Sequence, residues 1–155
     1  METPHAPGLE FVVELRVTIG PTRELGAGAS GARRTIPITG GTFAGPRMSG
    51  RVLPGGADWQ VVERGGLTFL DAHYAIETDD GVVIEVRNRG VRHGPADMME
   101  RLAAGDDLAP DEYYFRTLPR FHPPAGKCDW LRRSVFVATG ERYADLVVVR
   151  VWAVL

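Results

Sequence analysis

Apolar and polar residues alternate with a period of two along much of this chain. The first clear case lies between Phe11 and Ile19, whose apolar side comprises Phe11, Val13, Leu15, Val17 and Ile19. A period of two places successive side chains on opposite faces and is typical of a half-buried β-strand. The segment is therefore predicted to be a strand that ends at Gly20-Pro21.

The same reasoning predicts further short strands separated by turn residues. Asp79-Asp80-Gly81 joins two of them, because an Asp-Gly pair tolerates the positive φ of a tight hairpin turn. Gly40-Gly41 and residues 139–141 are predicted to interrupt strands, and Pro37 favours an edge or a bulge. The Gly- and Ala-rich stretch up to Arg34 is predicted to be a mobile loop. The predicted strands are 35–39, 48–53, 59–64, 67–78, 82–88, 112–117, 130–138 and 145–155.

One segment has helical periodicity instead. Pro95 suits a first helical turn, Met98, Met99 and Leu102 recur at helical spacing, and Gly105 ends the pattern. About nine or ten strands and one short helix predict a mainly β protein, an antiparallel β-barrel, since closing the sheet removes exposed edges. We expect a single domain over residues 1–155, with residues 1–9 flexible and a pocket inside for one small ligand.

Several segments, in order and spacing, resemble the domain-of-unknown-function family 3237, also called UPF0311. They are Ile-Thr-Gly-Gly at 38–41, Gly-Arg-Val-Leu-Pro-Gly-Gly-Ala-Asp-Trp at 50–59, Leu-Asp-Ala-His-Tyr at 70–74, Thr-Asp-Asp-Gly at 78–81, Tyr-Phe-Arg-Thr-Leu-Pro at 114–119, Trp-Leu at 130–131 and Phe-Val-Ala-Thr-Gly at 136–140. The resemblance covers nearly the whole chain from about Phe11.

This resemblance implies a lipocalin-like barrel with a central pocket. It implies no settled reaction, but some relatives in natural-product biosynthesis are cofactor-free cyclases that close an oxygen ring by intramolecular Michael addition. His73 departs from the pattern, in which arginine is expected at this position. If that position binds an anionic group of the substrate, this protein has a changed preference.

Composition excludes several classes of partner. With 18 basic and 20 acidic side chains the net charge is −2, which offers no attraction to nucleic acid or to an anionic membrane. The single cysteine, Cys128, cannot form an intramolecular disulfide and fits a reducing cytoplasm. The four histidines are scattered, so no metal site is predicted. Gly26 to Gly31 has dinucleotide-binding spacing, but a β-like segment follows where a helix is required, so no cofactor is predicted.

Candidate chemistry comes from polar residues set among apolar neighbours. Asp58 is the predicted general acid/base, because a carboxylate in an apolar cavity has a raised pKa. Arg116 and Tyr74 are the predicted donors to a carbonyl oxygen or oxyanion. Asp71 and Glu77 share one face of their strand and Tyr74 lies on the other, so only one of these faces can line the pocket. An internal Asp–Arg network that sets strand register is the competing explanation.

Aromatic side chains offer flat surfaces for an aromatic ligand, although they would equally fill a barrel core. The predicted substrate-binding set is Trp59, Asp71, Glu77, Tyr114 and Trp130. The basic cluster of Arg87, Arg89, Arg92 and His93 is either a solvated strand end or an anion-attracting rim.

Two functions remain open from the sequence. The first is a cofactor-independent enzyme, a cyclase, isomerase or lyase, which uses acid/base chemistry on a small conjugated or aromatic metabolite. The second is a lipocalin-like protein that binds a small hydrophobic metabolite. A structural oligomer is a third alternative, with the pocket filled by the protein's own side chains. Aromatic residues on both faces of 113–115 predict a cover over one face, for which a second subunit in a homo-oligomer is one candidate.

Overall fold

The computed structural model describes residues 1–155. It contains ten strands, one α-helix and two short 3-10 helices at Pro110–Glu112 and Asp129–Arg132. The larger elements are β1 (Leu9–Ile19), β2 (Arg23–Gly28), β3 (Gly31–Ala44), β4 (Ser49–Val52), β5 (Gly56–Val62), β6 (Thr68–Thr78), β7 (Val83–His93), α1 (Ala96–Ala103), β8 (Tyr114–His122), β9 (Val135–Arg142) and β10 (Leu146–Val154).

The strands form a closed antiparallel barrel. Neighbours follow the order β1-β10-β9-β8-β7-β6-β4-β3, and β1 pairs with β3 to complete the circle. β4 and β5 both lie between β3 and β6 and occupy one position in succession, which gives a barrel of eight positions. The predicted fold, an antiparallel barrel with one short helix, is confirmed.

Period-two alternation sets the inside of the barrel. In β8, the residues from Phe115 to Phe121 are buried at every second position, while Tyr114 to His122 are exposed at the others. A large cluster of buried apolar side chains fills one half of the interior. A smaller cluster at the other end includes Met99 and Leu102 of α1, so the helix closes that end. No helix of the chain has the length and hydropathy of a membrane-spanning helix.

The predicted mobile loop before Arg34 is corrected to a β-hairpin. β2 pairs with the first half of β3 from Arg23↔Thr35 to Gly28↔Gly31. Every residue of β2 is exposed. Backbone pairing therefore holds this hairpin without a buried side chain in β2, and a strand without a buried face leaves no hydrophobic alternation in the sequence.

Two predicted strand breaks are also wrong. β3 continues through Gly40-Gly41, whose positive φ values of 152° and 127° bend the strand without ending it. A Cβ at Gly41 would collide with the carbonyl oxygen of Arg16, so the close contact of β1 requires glycine. Gly140 lies within β9 beneath the ring of Phe115, and the turn follows after Arg142. The strand predicted from Trp130 begins only at Val135.

The hairpin between β6 and β7 offers a test of local backbone strain. Gly81 has φ 89°, and no atom lies within 4 Å of the position of a Cβ there. Gly81→Ala should therefore lower the free energy of unfolding by about 1 kcal/mol through the backbone conformation alone. Urea denaturation measures the change. Gly28→Ala is the control, because that glycine has an ordinary φ and open space; an equal loss in both variants would contradict the argument.

Candidate active site

A cavity lies inside the barrel between the two apolar clusters. The empty space amounts to about 540 Å³ with its opening to solvent, and about 50 Å³ can be reached by the centre of a water molecule, room for a few waters. Strands from every position of the barrel contribute. The lining is mostly apolar, and its polar residues are Asp58, Gln60, Tyr74, Asn88, Arg92, Thr117 and Arg142.

Asp58 projects into this cavity from β5. Its Oδ2 accepts a hydrogen bond of 2.7 Å from Nε2 of Gln60, and its Oδ1 accepts one of 3.0 Å from the backbone N–H of Asp71. Gln60 is oriented in turn by Arg34, whose Nε donates to Oε1 at 2.8 Å. Each carboxylate oxygen keeps a free lone pair, so Asp58 is fixed in orientation and able to accept a proton.

Burial raises the pKa of Asp58 above its ordinary value. The hydrogen bond from Gln60, the charges of Arg92 and Arg142 and the bond from the Asp71 backbone act in the opposite direction but do not cancel this effect. A raised pKa brings the carboxyl group closer to the pH at which it can both accept and donate protons.

Three arginines surround the same carboxylate. Burial, then the charges of Arg142 and Arg34, lowers the pKa of Arg92 to about 10. Burial also lowers the pKa of Arg142, followed by the charge of Arg34. Arg92 and Arg142 line the cavity and remain cationic at neutral pH, and Asp58 is the one carboxylate in the lining. Arg34 lies outside the lining, where the charge of Glu24 acts on it more strongly than that of Asp58. The polar part of the cavity therefore carries an excess of positive charge.

Three buried polar atoms in the cavity wall have no hydrogen-bond partner. They are Nε of Arg92, Oδ1 of Asn88 and Oγ1 of Thr117. Their residues are 4%, 6% and 5% exposed, and all three line the cavity. Buried polar groups without partners are rare in folded proteins and cost free energy. Their convergence on one cavity indicates a site for a polar ligand or ordered water.

Tyr74 completes the polar surface from β6. Its side chain is buried, and burial followed by the charge of Asp58 raises the pKa of its hydroxyl. The phenol therefore stays protonated at neutral pH and can donate a hydrogen bond to a carbonyl oxygen or an oxyanion.

Arg92 also borders a surface cleft beside α1. The cleft lies between the helix and the ends of β3, β5 and β6, and Arg34, Thr68 and Met99 are among its lining residues. Arg92 thus lies in the wall of both the inner cavity and this outer cleft.

Comparison with known proteins places the chain in a family. The profile of a family described as "Protein of unknown function (DUF3237)" matches residues 7–154. This chain belongs to the DUF3237 family. A UPF0311 protein of Rhodopseudomonas palustris is 42% identical to this chain over 151 residues, which are 96% of this chain and 99% of that relative. The resemblance found in the sequence motifs is confirmed.

Two further comparisons describe the relatives. The crystal structure of a conserved protein of unknown function from Rhodopseudomonas palustris superposes on this chain with a TM-score of 0.93 and 40% identity. The superposition covers 99% of this chain and 100% of that one. A protein of Penicillium herquei named hydroalkoxylation enzyme is 35% identical over 83 residues, which are 54% of this chain and 55% of that relative.

Two of the predicted site residues, Asp58 and Tyr74, line the cavity. The opposite face of β6 points outward, which corrects the placement of Asp71 and Glu77 in the pocket. Asp71 pairs with Arg87 at 3.0 Å on the surface, and Glu77 pairs with Arg51 at 3.0 Å. His73, where the resemblance predicted arginine, lies on this outer face as well and is hydrogen-bonded to Glu85 at 3.0 Å.

The structure also corrects the predicted position of Arg116. It lies on the exposed face of β8, where its Nη1 donates to the carbonyl oxygen of Phe115 at 2.8 Å. Tyr114 is on the same outer face and stacks on His93 with 4.9 Å between ring centroids. Trp59 is 53% exposed on the outside of β5. Trp130 packs against the apolar cluster away from the cavity, with the guanidinium of Arg47 over its ring.

The sequence reasoning missed Gln60, Asn88, Thr117 and Arg142 of the polar lining and placed Arg92 only in a basic cluster. The alternation of residues in β7 could have identified two of the inward-facing polar residues. Ile84 and Val86 are apolar, and a continued period of two places Asn88 and Arg92 on the same face. The basic cluster of this strand is in fact divided, because Arg87 and Arg89 pair with Asp71 outside while Arg92 faces inward.

The raised pKa of Asp58 predicts a pH-dependent difference from Asp58→Asn. Between the unfolded pKa, about 3.9, and the raised folded pKa, the folded state binds more protons than the unfolded state. The stability of the wild type relative to Asp58→Asn should therefore fall as the pH rises from about 4. The other ionisable groups are common to both proteins, so the comparison isolates the titration of Asp58. Urea denaturation across this range measures it; a pH-independent difference would contradict the shift.

Proposed function

We propose that this protein is a cofactor-independent enzyme that moves a proton on a small conjugated or aromatic molecule in the barrel cavity. The observation that carries the proposal is the carboxylate of Asp58, which lines an enclosed cavity with a raised pKa and a fixed orientation. A positioned carboxyl group of this kind contributes about 10²- to 10⁴-fold to a proton-transfer rate.

The reaction that suits this site is the addition of a hydroxyl group across a conjugated double bond of the same molecule. A C–O bond forms and the C=C π bond breaks; the hydroxyl proton leaves and a proton arrives on the neighbouring carbon, so no other reactant is needed. Asp58 accepts the first proton and returns it to carbon. Tyr74 and the guanidinium group of Arg142 donate to the carbonyl oxygen, on which negative charge develops.

Two further observations support this proposal. The Penicillium herquei relative is named a hydroalkoxylation enzyme, a term for the addition of an O–H group to a carbon–carbon double bond. The cavity itself holds charged residues and unpartnered polar atoms. A carrier for a hydrophobic metabolite gains nothing from these groups, because an apolar ligand would leave them without partners.

The test uses two small probes, a short-chain hydroxy enone and the phenyl vinyl ketone whose hydroxyl is ortho to the ketone. Loss of the enone absorbance reports ring closure. We expect the wild type to accelerate closure of at least one probe over buffer and Asp58→Asn to lose the acceleration. Saturable binding of the probes without acceleration would contradict the proposal and favour a binding protein.

A further inference from the structure

The polar residues of the cavity wall restrict the class of ligand further than the acid/base group, Asp58, does. Arg92 is 4% exposed, yet its Nε has no hydrogen-bond partner. A buried polar atom without a partner is costly, and in a folded protein it indicates a ligand, an ion or an ordered water as the missing acceptor. The Arg92 guanidinium lies over the ring of Phe115 at 5.4 Å, which leaves its polar edge free for another group.

The neighbouring unpartnered atoms define the rest of the pattern. Nε of Arg92 is a donor, Oδ1 of Asn88 is an acceptor, and the hydroxyl of Thr117 can act as either. β7 and β8 pair with Gly90 opposite Thr117, so Thr117 lies between the positions of Asn88 and Arg92 along the paired strand. A ligand that matches this wall presents an acceptor to Arg92 and a donor to Asn88.

The balance of charge decides what kind of acceptor this is. Arg92 and Arg142 line the cavity with one carboxylate, Asp58, whereas the charge of Arg34 is balanced chiefly by Glu24. A neutral acceptor would leave the excess positive charge uncompensated, whereas an oxyanion would neutralise part of it and form charge-assisted hydrogen bonds.

We propose that the cavity binds a substrate that carries an oxyanion, a carboxylate or ionised phenol, with a neighbouring hydroxyl group. Arg92 holds the oxyanion, Asn88 accepts from the hydroxyl, and Thr117 bridges the two. This proposal rests on the proposed function and names the substrate class for the same site. The hydroxyl that Asn88 orients is the group from which Asp58 removes the proton.

The probes are meta-hydroxybenzoate and its neutral counterpart meta-hydroxybenzamide. Calorimetric titration at pH 7 and about 0.15 M ionic strength suppresses weak association with exposed arginines. We expect the wild type to bind the benzoate at least about tenfold more tightly than the benzamide. Equal affinity for the two probes would overturn the proposal, whatever the variants show.

Three variants locate the anion site. Arg92→Met should weaken binding of the benzoate about 10- to 100-fold, and Thr117→Val about threefold to tenfold. Arg89→Met is the matched control, since Arg89 is in the same strand but pairs with Asp71 on the outer face; it should leave affinity unchanged. Wild-type affinity in Arg92→Met would overturn the assignment.

Thermal denaturation separates ligand binding from a structural role. Removing a buried guanidinium whose Nε lacks a partner should leave the melting temperature unchanged or raise it. A lower melting temperature in Arg92→Met would identify Arg92 as a structural residue and overturn the proposal. If Arg92→Met does not fold, the binding of benzoate by Thr117→Val and the comparison of benzoate with benzamide on the wild type test the proposal instead.

The two proposals fail in different ways. Loss of probe cyclisation in Asp58→Asn with no preference for the benzoate would retain the acid/base site and reject the oxyanion. Arg92-dependent binding of the benzoate with no effect of Asp58→Asn on any rate would retain the anion site and reject the enzyme.

Discussion

Asp58→Asn should lower the rate of the proposed cyclisation about 10²- to 10⁴-fold while changing the affinity for a neutral probe by less than about threefold. Asparagine has the shape of aspartate but cannot accept the hydroxyl proton. Its Oδ1 can still accept the backbone N–H of Asp71 that now binds the carboxylate at 3.0 Å, so β5 and β6 should stay joined. The hydrogen bond that Nε2 of Gln60 donates to Oδ2 at 2.7 Å is lost, because the NH2 group of asparagine cannot accept it. The loss should therefore fall on the turnover number.

Initial rates over a range of probe concentrations separate the turnover number from the Michaelis constant. Asp71→Asn is the matched control: its carboxylate pairs with Arg87 and Arg89 on the outer face of β6, and its backbone N–H remains. It should retain the wild-type rate. Equal turnover in Asp58→Asn and the wild type would rule out Asp58 as the general base.

Phe115→Ala should be the most destabilising of the substitutions considered, lowering the free energy of unfolding by about 3–5 kcal/mol. Phe115 is 5% exposed and belongs to the smaller apolar cluster with Met99 and Leu102 of α1. Its ring also covers Gly140 in β9 and lies beneath the guanidinium of Arg92. Truncation would thus leave a void between α1, β7 and β9. Gly140 has no side chain that could fill this void.

Urea denaturation provides the measurement, with the midpoint reduced and the slope unchanged if folding stays two-state. Tyr114→Ala is the matched control, because Tyr114 is the preceding residue but is 44% exposed on the outer face; it should cost less than about 1 kcal/mol. Similar losses for the two variants would show that the smaller cluster contributes little to stability. The fall in melting temperature for Phe115→Ala should be roughly 6–20 °C.

Local features of the chain were predictable where one rule operated alone. The Asp-Gly pair of residues 80–81 correctly predicted the β6–β7 hairpin, and Gly105, with φ 93°, correctly predicted the end of α1. The β2 strand could not be found in this way, because both of its faces are exposed and only the backbone of β3 holds it. Gly140 was misinterpreted as a turn since the ring that covers it belongs to a different strand.

Candidate chemistry was predictable one strand at a time. Asp58 and Tyr74 were predicted from their apolar surroundings, and both line the cavity. Arg116 lies in equally apolar surroundings but has the opposite parity to Phe115 and Thr117, so it points outward. The alternation of β8 was sufficient to exclude Arg116, just as the alternation of β7 was sufficient to include Arg92.

The amino-acid sequence by itself determined the strand-rich architecture, the helix and the two alternating faces of each strand, because these depend on neighbouring residues and on backbone geometry. Only the tertiary structure decided which face of β6 is inside, since Asp71, His73 and Glu77 are no less plausible pocket residues than Tyr74 until the barrel curves. It also brought Asp58, Arg92 and Arg142 to one cavity from β5, β7 and β9. Their meeting depends on pairings between distant parts of the chain, to which no local pattern refers.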